Sequence, residues 1–93
     1  VGEPRASATA ADSAAMRAEE AGRPTAEVVG LWREAARRWA AVKAAPEVAS
    51  RLARIGAVYM AAGHPDSALA VYAVSLPLLE LVGKPRDLAM MLG

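Results

Sequence analysis

The most regular run of apolar positions in the chain predicts two consecutive helices separated by a glycine turn. On both sides of Gly63, apolar residues recur at steps of three and four, which is the spacing of one face of an α-helix. These residues are Leu52, Ile55 and Tyr59 before the turn, and Ala68, Leu69, Tyr72 and Leu76 after it. Gly63 can adopt the left-handed conformation that ends a helix, and Pro65 suits the first turn of the next one. The pattern therefore predicts a helical hairpin.

Gly56 lies on the inward face of the first of these helices, between Leu52 and Tyr59. Because glycine has no side chain, a second helix can approach closely at that position. Ala68 is also small and faces inward on the second helix. We expect the small residues to receive the large side chains of the opposite helix.

An earlier part of the chain repeats this arrangement more weakly. Gly22-Arg23-Pro24 corresponds to Gly63-His64-Pro65 at an offset of 41 residues, and Trp32 corresponds to Tyr72 at an offset of 40. One extra residue in the earlier loop reconciles the two offsets. The helix before Gly22 then carries small inward residues, which are Ala11, Ala14, Ala15 and Ala18. A third copy is expected to begin at Leu88.

These patterns predict helices over residues 9–21, 25–43, 47–62 and 66–82, and a short fifth helix over 86–92. Residues 1–8 are expected to form a flexible lead-in, and residues 9–93 a single helical domain truncated at its C-terminal end. Pro77 lies inside the fourth predicted helix and should kink it, because proline removes one helical hydrogen bond.

The spacing L-x2-I-G-x2-Y, a glycine turn and A-L-x2-Y resembles the tetratricopeptide (TPR) repeat, a helix-turn-helix with the signature W-x2-L-G-x2-Y…A-x3-F. The resemblance covers about residues 9–93 and is clearest over 47–83. It implies an all-α fold of antiparallel helix hairpins stacked in a right-handed superhelix. One departure is that the proline ending the family's second helix would fall at Glu80, and the next proline is Pro85. The second helix is therefore expected to be longer than in the 34-residue repeat.

In the TPR family, stacked first helices line a concave groove that binds a peptide or helix of a protein partner. Mapped onto this sequence, the groove residues would be Ser50, Ala53, Arg54, Ala57, Met60 and Ala61, with Arg86 and Met90 from the fifth helix. This mostly small, apolar lining suits a partly apolar peptide or an amphipathic helix. Arg54 and Met16 stand at two positions that the carboxylate-clamp subfamily needs for binding, so an EEVD-type chaperone tail is not expected to bind. Neighbouring repeats or the chain itself could instead cover these residues.

The second predicted helix raises two further questions. Trp32 and Trp39 lie seven residues apart on it, which indicates a buried apolar stripe. The alternative is that Trp39 is an exposed aromatic anchor for a partner.

The basic residues of the same helix are Arg33, Arg37, Arg38 and Lys43. They suggest a solvated outer face, or alternatively a weak contact with nucleic acid, although the tryptophans occupy the opposite side.

Composition and charge limit the chemistry. The formal net charge of +1 argues against a strongly electrostatic partner, and the absence of cysteine excludes disulfides and thiolate metal sites. His64 is the only histidine, and Asp66 and Glu80 are too far apart on one helix to form a carboxylate pair. We therefore expect no enzyme activity, metal or cofactor.

Location and assembly follow from the apolar runs. No run is long enough for a transmembrane helix and no signal sequence is apparent, so a cytoplasmic location is expected, and heavy use of Ala and Arg fits a bacterial source. The segment 88–92 is apolar, and we expect no following helix to cover it. We expect a homodimer through Leu88, Met91 and Leu92. The alternative is that the repeats pack against another domain of a larger bacterial regulator.

Overall fold

The computed structural model describes the backbone of residues 3–82 and the side chains of residues 3–80. Four helices account for nearly all of this range, and it contains no strand: α1 (Glu3–Glu20), α2 (Thr25–Ala41), α3 (Ala45–Ala61) and α4 (Pro65–Val82). The prediction of an all-α chain with four helices over this range is confirmed. The fifth predicted helix, over 86–92, lies outside the described residues.

The first helix begins at Glu3, so the predicted start at residue 9 is wrong. Pro4 suits the first helical turn, and Glu3 places a negative charge at the positive end of the helix dipole. The added turns also have a packing role, because Ala8 is fully buried in a cluster with Trp39 and Ala44. The first residues of this helix are small or polar. They include no large apolar side chain whose spacing would predict the helix.

All three connections between helices use the same turn. In each, one residue has a left-handed backbone conformation: Gly22 (φ 68°), Lys43 (φ 56°) and Gly63 (φ 81°). The next residue then donates its backbone N–H to the carbonyl five positions back. The bonds are Arg23 to Ala18 (3.0 Å), Ala44 to Trp39 (3.0 Å) and His64 to Tyr59 (2.8 Å). This Schellman arrangement satisfies carbonyls that the end of a helix would leave unpaired.

The first and third turns show where the two hairpins differ by one residue. Their turn hydrogen bonds coincide at an offset of 41 residues. The bonds that begin the following helices, Val28 N–H to Pro24 and Ala68 N–H to His64, coincide at an offset of 40. The extra residue therefore lies in the first of these turns, as predicted.

The helices pack in chain order, α1 against α2, α2 against α3 and α3 against α4. Trp32, at 2% exposure, lies in the main core cluster with small residues of α1 such as Ala15 and Ala18, and with Ile55 of α3. The extents of 38 × 32 × 14 Å describe a thin molecule, which matches a core built largely from alanine.

The inward stripe predicted for α4 is only partly correct. Ala68 and Ser75 are fully buried and Tyr72 is half-buried. Leu69 and Leu76, however, are exposed, contrary to the prediction. Within the described range α4 packs against α3 alone. Its apolar surface is wider than one neighbouring helix can cover.

Two features of α4 cost stability. Ser75 is fully buried and its hydroxyl has no hydrogen-bond partner among the described residues, an arrangement that costs about 1–3 kcal/mol. Pro77 lies inside the helix, which continues to Val82. Because proline has no N–H, one carbonyl of the preceding turn loses its helical donor.

Gly56 marks the predicted close approach between α3 and α4. A Cβ atom at this position would lie 2.6 Å from Cε1 of Tyr72, closer than real Cβ contacts. The tyrosine ring of α4 therefore occupies the space that a side chain at position 56 would need. This confirms the close contact expected between Gly56 and the large side chain at position 72.

Replacing Gly56 with leucine should lower the free energy of unfolding by about 1–3 kcal/mol, because the new side chain overpacks against Tyr72. Gly30→Leu is the matched control. Gly30 is exposed within α2 and has nothing within 4 Å of an added Cβ. That variant should gain up to about 0.8 kcal/mol from helix propensity alone. Urea unfolding of both variants measures the difference, and equal effects at the two positions would contradict the close contact.

Candidate partner-binding groove

An open hollow of about 450 Å³ lies where the end of α1, the start of α2 and the second half of α3 meet. Its lining combines small or medium apolar side chains with three charged ones: Glu19, Arg23, Thr25, Val28, Arg54, Ala57, Val58, Ala61 and Ala62. The apolar residues offer a surface for aliphatic groups. The charged residues offer hydrogen bonds at its edge.

The charges at this edge are already paired within the chain. Arg23 donates to Glu27 at 2.6 Å, and both side chains are substantially exposed. Arg54 lies 3.7 Å from the Glu19 carboxylate, and its guanidinium sits 4.9 Å from the centroid of the Trp32 ring. A ligand would therefore meet partly neutralised, oriented arginines rather than free cations.

Glu19 connects this edge to the core, because its carboxylate also accepts a 2.7 Å hydrogen bond from Nε1 of Trp32. The indole is thus buried with its one polar atom satisfied, as buried tryptophans require. Trp32, Glu19 and Arg54 come from α2, α1 and α3, so one acidic side chain joins three helices. We call these three residues the Glu19 cluster.

A second cluster of the same composition lies further along the helices. Asp12 of α1 accepts a 3.0 Å hydrogen bond from Nε1 of Trp39 and two bonds from Arg51, at 3.0 and 2.6 Å. The Trp39 ring also has the guanidinium groups of Arg5 and Arg51 at 5.4 and 5.5 Å from its centroid. These are cation–π distances. We call Asp12, Trp39 and Arg51 the Asp12 cluster.

The contacts within the Asp12 cluster stabilise the charged forms of Asp12 and Arg51. Burial alone would raise the pKa of Asp12, but hydrogen bonds from Arg51 and Trp39 and the charges of Arg51 and Arg54 outweigh burial, so the pKa lies below 3.8. The hydrogen bond to Asp12 correspondingly raises the pKa of Arg51. Asp12 is therefore ionised at neutral pH although it is buried.

Of the six α3 residues predicted to form the groove, three line this hollow and three do not. Arg54, Ala57 and Ala61 line the hollow. The remaining three on α3, which are Ser50, Ala53 and Met60, do not line it. Met60 is 53% exposed.

Five further predicted site residues lie outside the described residues: Arg86 and Met90 for the groove, and Leu88, Met91 and Leu92 for self-association. The predictions made for them stay predictions.

Burial decides between the two alternatives for the tryptophans, which are core packing and an exposed anchor for a partner. Trp32 and Trp39 are 2% and 6% exposed, which confirms core packing. The alternative in which Trp39 is an exposed anchor for a partner is wrong, because α1 extends far enough to cover it with Ala8 and Asp12.

Two of the three arginines of α2 form ion pairs within the chain. Glu34 binds both Arg37 (3.2 Å) and Arg38 (3.0 Å), and Arg38 also donates to the hydroxyl of Ser7. Glu34 and Arg38 are four residues apart, a spacing that favours an ion pair on a helix. Because the tryptophans are buried, this face presents no indole on which a nucleic acid base could stack.

Sequence reasoning treated the tryptophans as purely apolar and missed Asp12, Glu19 and Arg51. A signal was present, since the two acids on α1 are seven residues apart, as are the two tryptophans on α2. In an antiparallel hairpin, equal spacings bring two such pairs into register. The remaining missed lining residues, such as Arg23 and Val58, are brought together only by the packing of separate helices.

The described part of the chain offers few groups for other chemistry. Within residues 3–82, no three His, Asp or Glu side chains come close enough to hold a metal ion. His64 is exposed in its turn, with its ring edge-on to Tyr59 at 6.4 Å. None of the four helices combines the length and the apolarity needed to cross a membrane.

Comparison with known proteins returned no relative: no protein-family model, no curated protein and no solved structure matches this chain.

Acid should lower the free energy of unfolding, because it protonates the Asp12 carboxylate. Its folded pKa is lower than its unfolded value of about 3.9, so its stabilisation is present above pH 4 and is lost as the pH falls through the folded pKa. We expect Asp12→Asn to cost about 1.5–3 kcal/mol at pH 7, because charge-assisted hydrogen bonds are lost. The variant should also lose less additional stability than the parent between pH 4 and pH 2.

Urea unfolding at several pH values measures both effects. Glu34→Gln is the control, because it removes an exposed carboxylate that also binds two arginines. It should change stability by less than about 1 kcal/mol. Parallel acid profiles for the parent and Asp12→Asn would show that Asp12 is not stabilised by its charge.

Proposed function

We propose that this chain is a TPR-like protein-interaction module that binds a segment of a protein partner in the hollow between α1, α2 and α3. The observation that carries the proposal is the position of Arg54, Ala57 and Ala61. The resemblance to the TPR family assigns these residues to a groove, and they line the hollow.

The hairpin geometry supports the same proposal. The turns at Gly22 and Gly63 share one hydrogen-bond pattern, and Gly56 receives Tyr72 where the repeat signature has a glycine and an aromatic residue. Two successive hairpins of this kind are the minimum from which stacked first helices can form a shared surface. The right-handed superhelix, the bacterial source and the cytoplasmic setting belong to the proposal and rest on the sequence.

The chemistry of the hollow indicates the kind of segment that would bind. Its interior is formed by side chains no larger than valine, including Val28, Val58 and Ala57. Aliphatic side chains of a peptide or of an amphipathic helix would fill it and displace water, at about 25 cal/mol per Å² of apolar surface buried. An acidic group on the partner could share Arg23 or Arg54 with their present carboxylate partners. The proposed role involves no catalysis and no cofactor.

Selection from a displayed library of random 12-residue peptides tests this proposal with the full chain. Enriched peptides should combine aliphatic residues with an acidic one, and their affinity can be measured by fluorescence anisotropy. Ala57→Arg should raise the dissociation constant at least tenfold, because the arginine fills the hollow.

Ala70→Arg is the matched control for this experiment. Ala70 is also an exposed alanine in the middle of a helix, but it lines a different hollow, between α3 and α4. Its substitution should leave peptide affinity unchanged. Equal effects of the two variants, or a failure to enrich any peptide, would contradict the proposed groove.

A further inference from the structure

The exposed apolar side chains of the described region are concentrated on α4. Six large hydrophobic residues are exposed within residues 3–80, and four of them belong to this helix: Leu69, Val74, Leu76 and Leu79. Val74 lines a hollow between α3 and α4, with Arg33 of α2 at its edge. The three leucines are spaced by seven and three residues, so they share another side of the helix. We call Leu69, Leu76 and Leu79 the α4 leucine face.

The equivalent residues of α2 show what normally covers such a face. At the offset of 40 residues, the leucines correspond to Val29, Ala36 and Trp39, which are 4%, 5% and 6% exposed. The leucines themselves are 65%, 54% and 39% exposed. The difference lies in the neighbours, because α2 packs against both α1 and α3 whereas α4, within the described range, packs against α3 alone. The α4 leucine face is therefore equivalent to a side of α2 that neighbouring helices bury.

Two surfaces of another copy could supply that helix, and they differ in polarity. The outer side of α1 is mostly polar, with Thr9, Ser13, Arg17 and Glu20 exposed and Met16 as its one large apolar residue. Stacking α1 of one copy on α4 of another would desolvate these polar groups without evident partners. Among the described helices, the surface that best matches the α4 leucine face is the same face of a second copy.

We propose that two copies of this chain associate through their α4 leucine faces around a twofold axis. The two α4 helices run antiparallel, because this order places the Glu80 carboxylates at opposite ends, whereas a parallel pair would bring them side by side. Such an isologous contact closes at two subunits and leaves the hollow lined by Ala57 on each copy free.

The size of the face sets the expected strength of the dimer. Stable interfaces bury about 800 Å² per partner, whereas a patch of three partly exposed leucines amounts to a few hundred Å². The dimer should therefore dissociate in the micromolar range and be visible as a change of mass with concentration.

Sedimentation velocity of the full chain between 1 and 100 µM tests the proposal. The parent should shift from monomer to dimer over this range. Leu76→Lys should raise the dissociation constant at least tenfold, because the twofold axis introduces two buried ammonium groups at once. Val74→Lys is the control, since Val74 is 56% exposed on the same helix but faces the other side. It should dimerise like the parent.

Helix content measured by circular dichroism separates lost association from lost folding, and both variants should retain it. A parent protein that stays monomeric at 100 µM would overturn the proposal. In that case another part of the chain or a different protein would cover the α4 leucine face. Growth beyond a dimer would overturn the twofold arrangement in favour of end-to-end stacking. Equal weakening by the two lysine variants would overturn the assignment to the leucine face. None of these results depends on peptide binding at Ala57.

Discussion

The carboxylate of Asp12 is the interaction on which the arrangement of the first three helices depends most. It is buried on α1 and binds the indole of Trp39 on α2 and the guanidinium of Arg51 on α3. The first three helices contain many alanines and only two tryptophans, so few large side chains are available to fix their positions. A buried indole needs an acceptor for its N–H, and a buried carboxylate needs donors. The two requirements are met together only when the three helices hold one relative position.

The Glu19 cluster applies the same solution at the other end of α1 and links the fold to the proposed groove. Glu19 binds Trp32 in the core and lies beside Arg54 at the edge of the hollow. The orientation of Arg54 is therefore set by the same contacts that hold α1 on α2. A partner that draws Arg54 away from Glu19 would loosen this cluster, so binding and the stability of the first hairpin should be coupled.

Local features of the sequence predicted most of the fold. Gly22, Gly63 and the prolines after them place two of the three turns, and Gly56 identifies the contact with Tyr72. Features that depend on residues distant in sequence were missed. The first turns of α1 are stabilised by packing against Trp39, which lies about 30 residues later in the chain. The pattern of residues 3–8 alone does not indicate this contact. Leu69 and Leu76 follow the helical period, but exposure depends on whether a neighbouring helix is present, and the sequence pattern does not contain that information.

The most direct test of the central role of Asp12 is a double-mutant cycle with Arg51. Asp12→Ala, Arg51→Met and the double variant are compared with the parent by urea unfolding at pH 7. Since the pair is largely shielded from solvent and bidentate, we expect a coupling free energy of about 1–3 kcal/mol. The same cycle on the exposed pair Glu34 and Arg38 should give about 0.5 kcal/mol or less. Additive effects of the Asp12 and Arg51 substitutions, within about 0.3 kcal/mol, would contradict the claim that this contact fixes the helices.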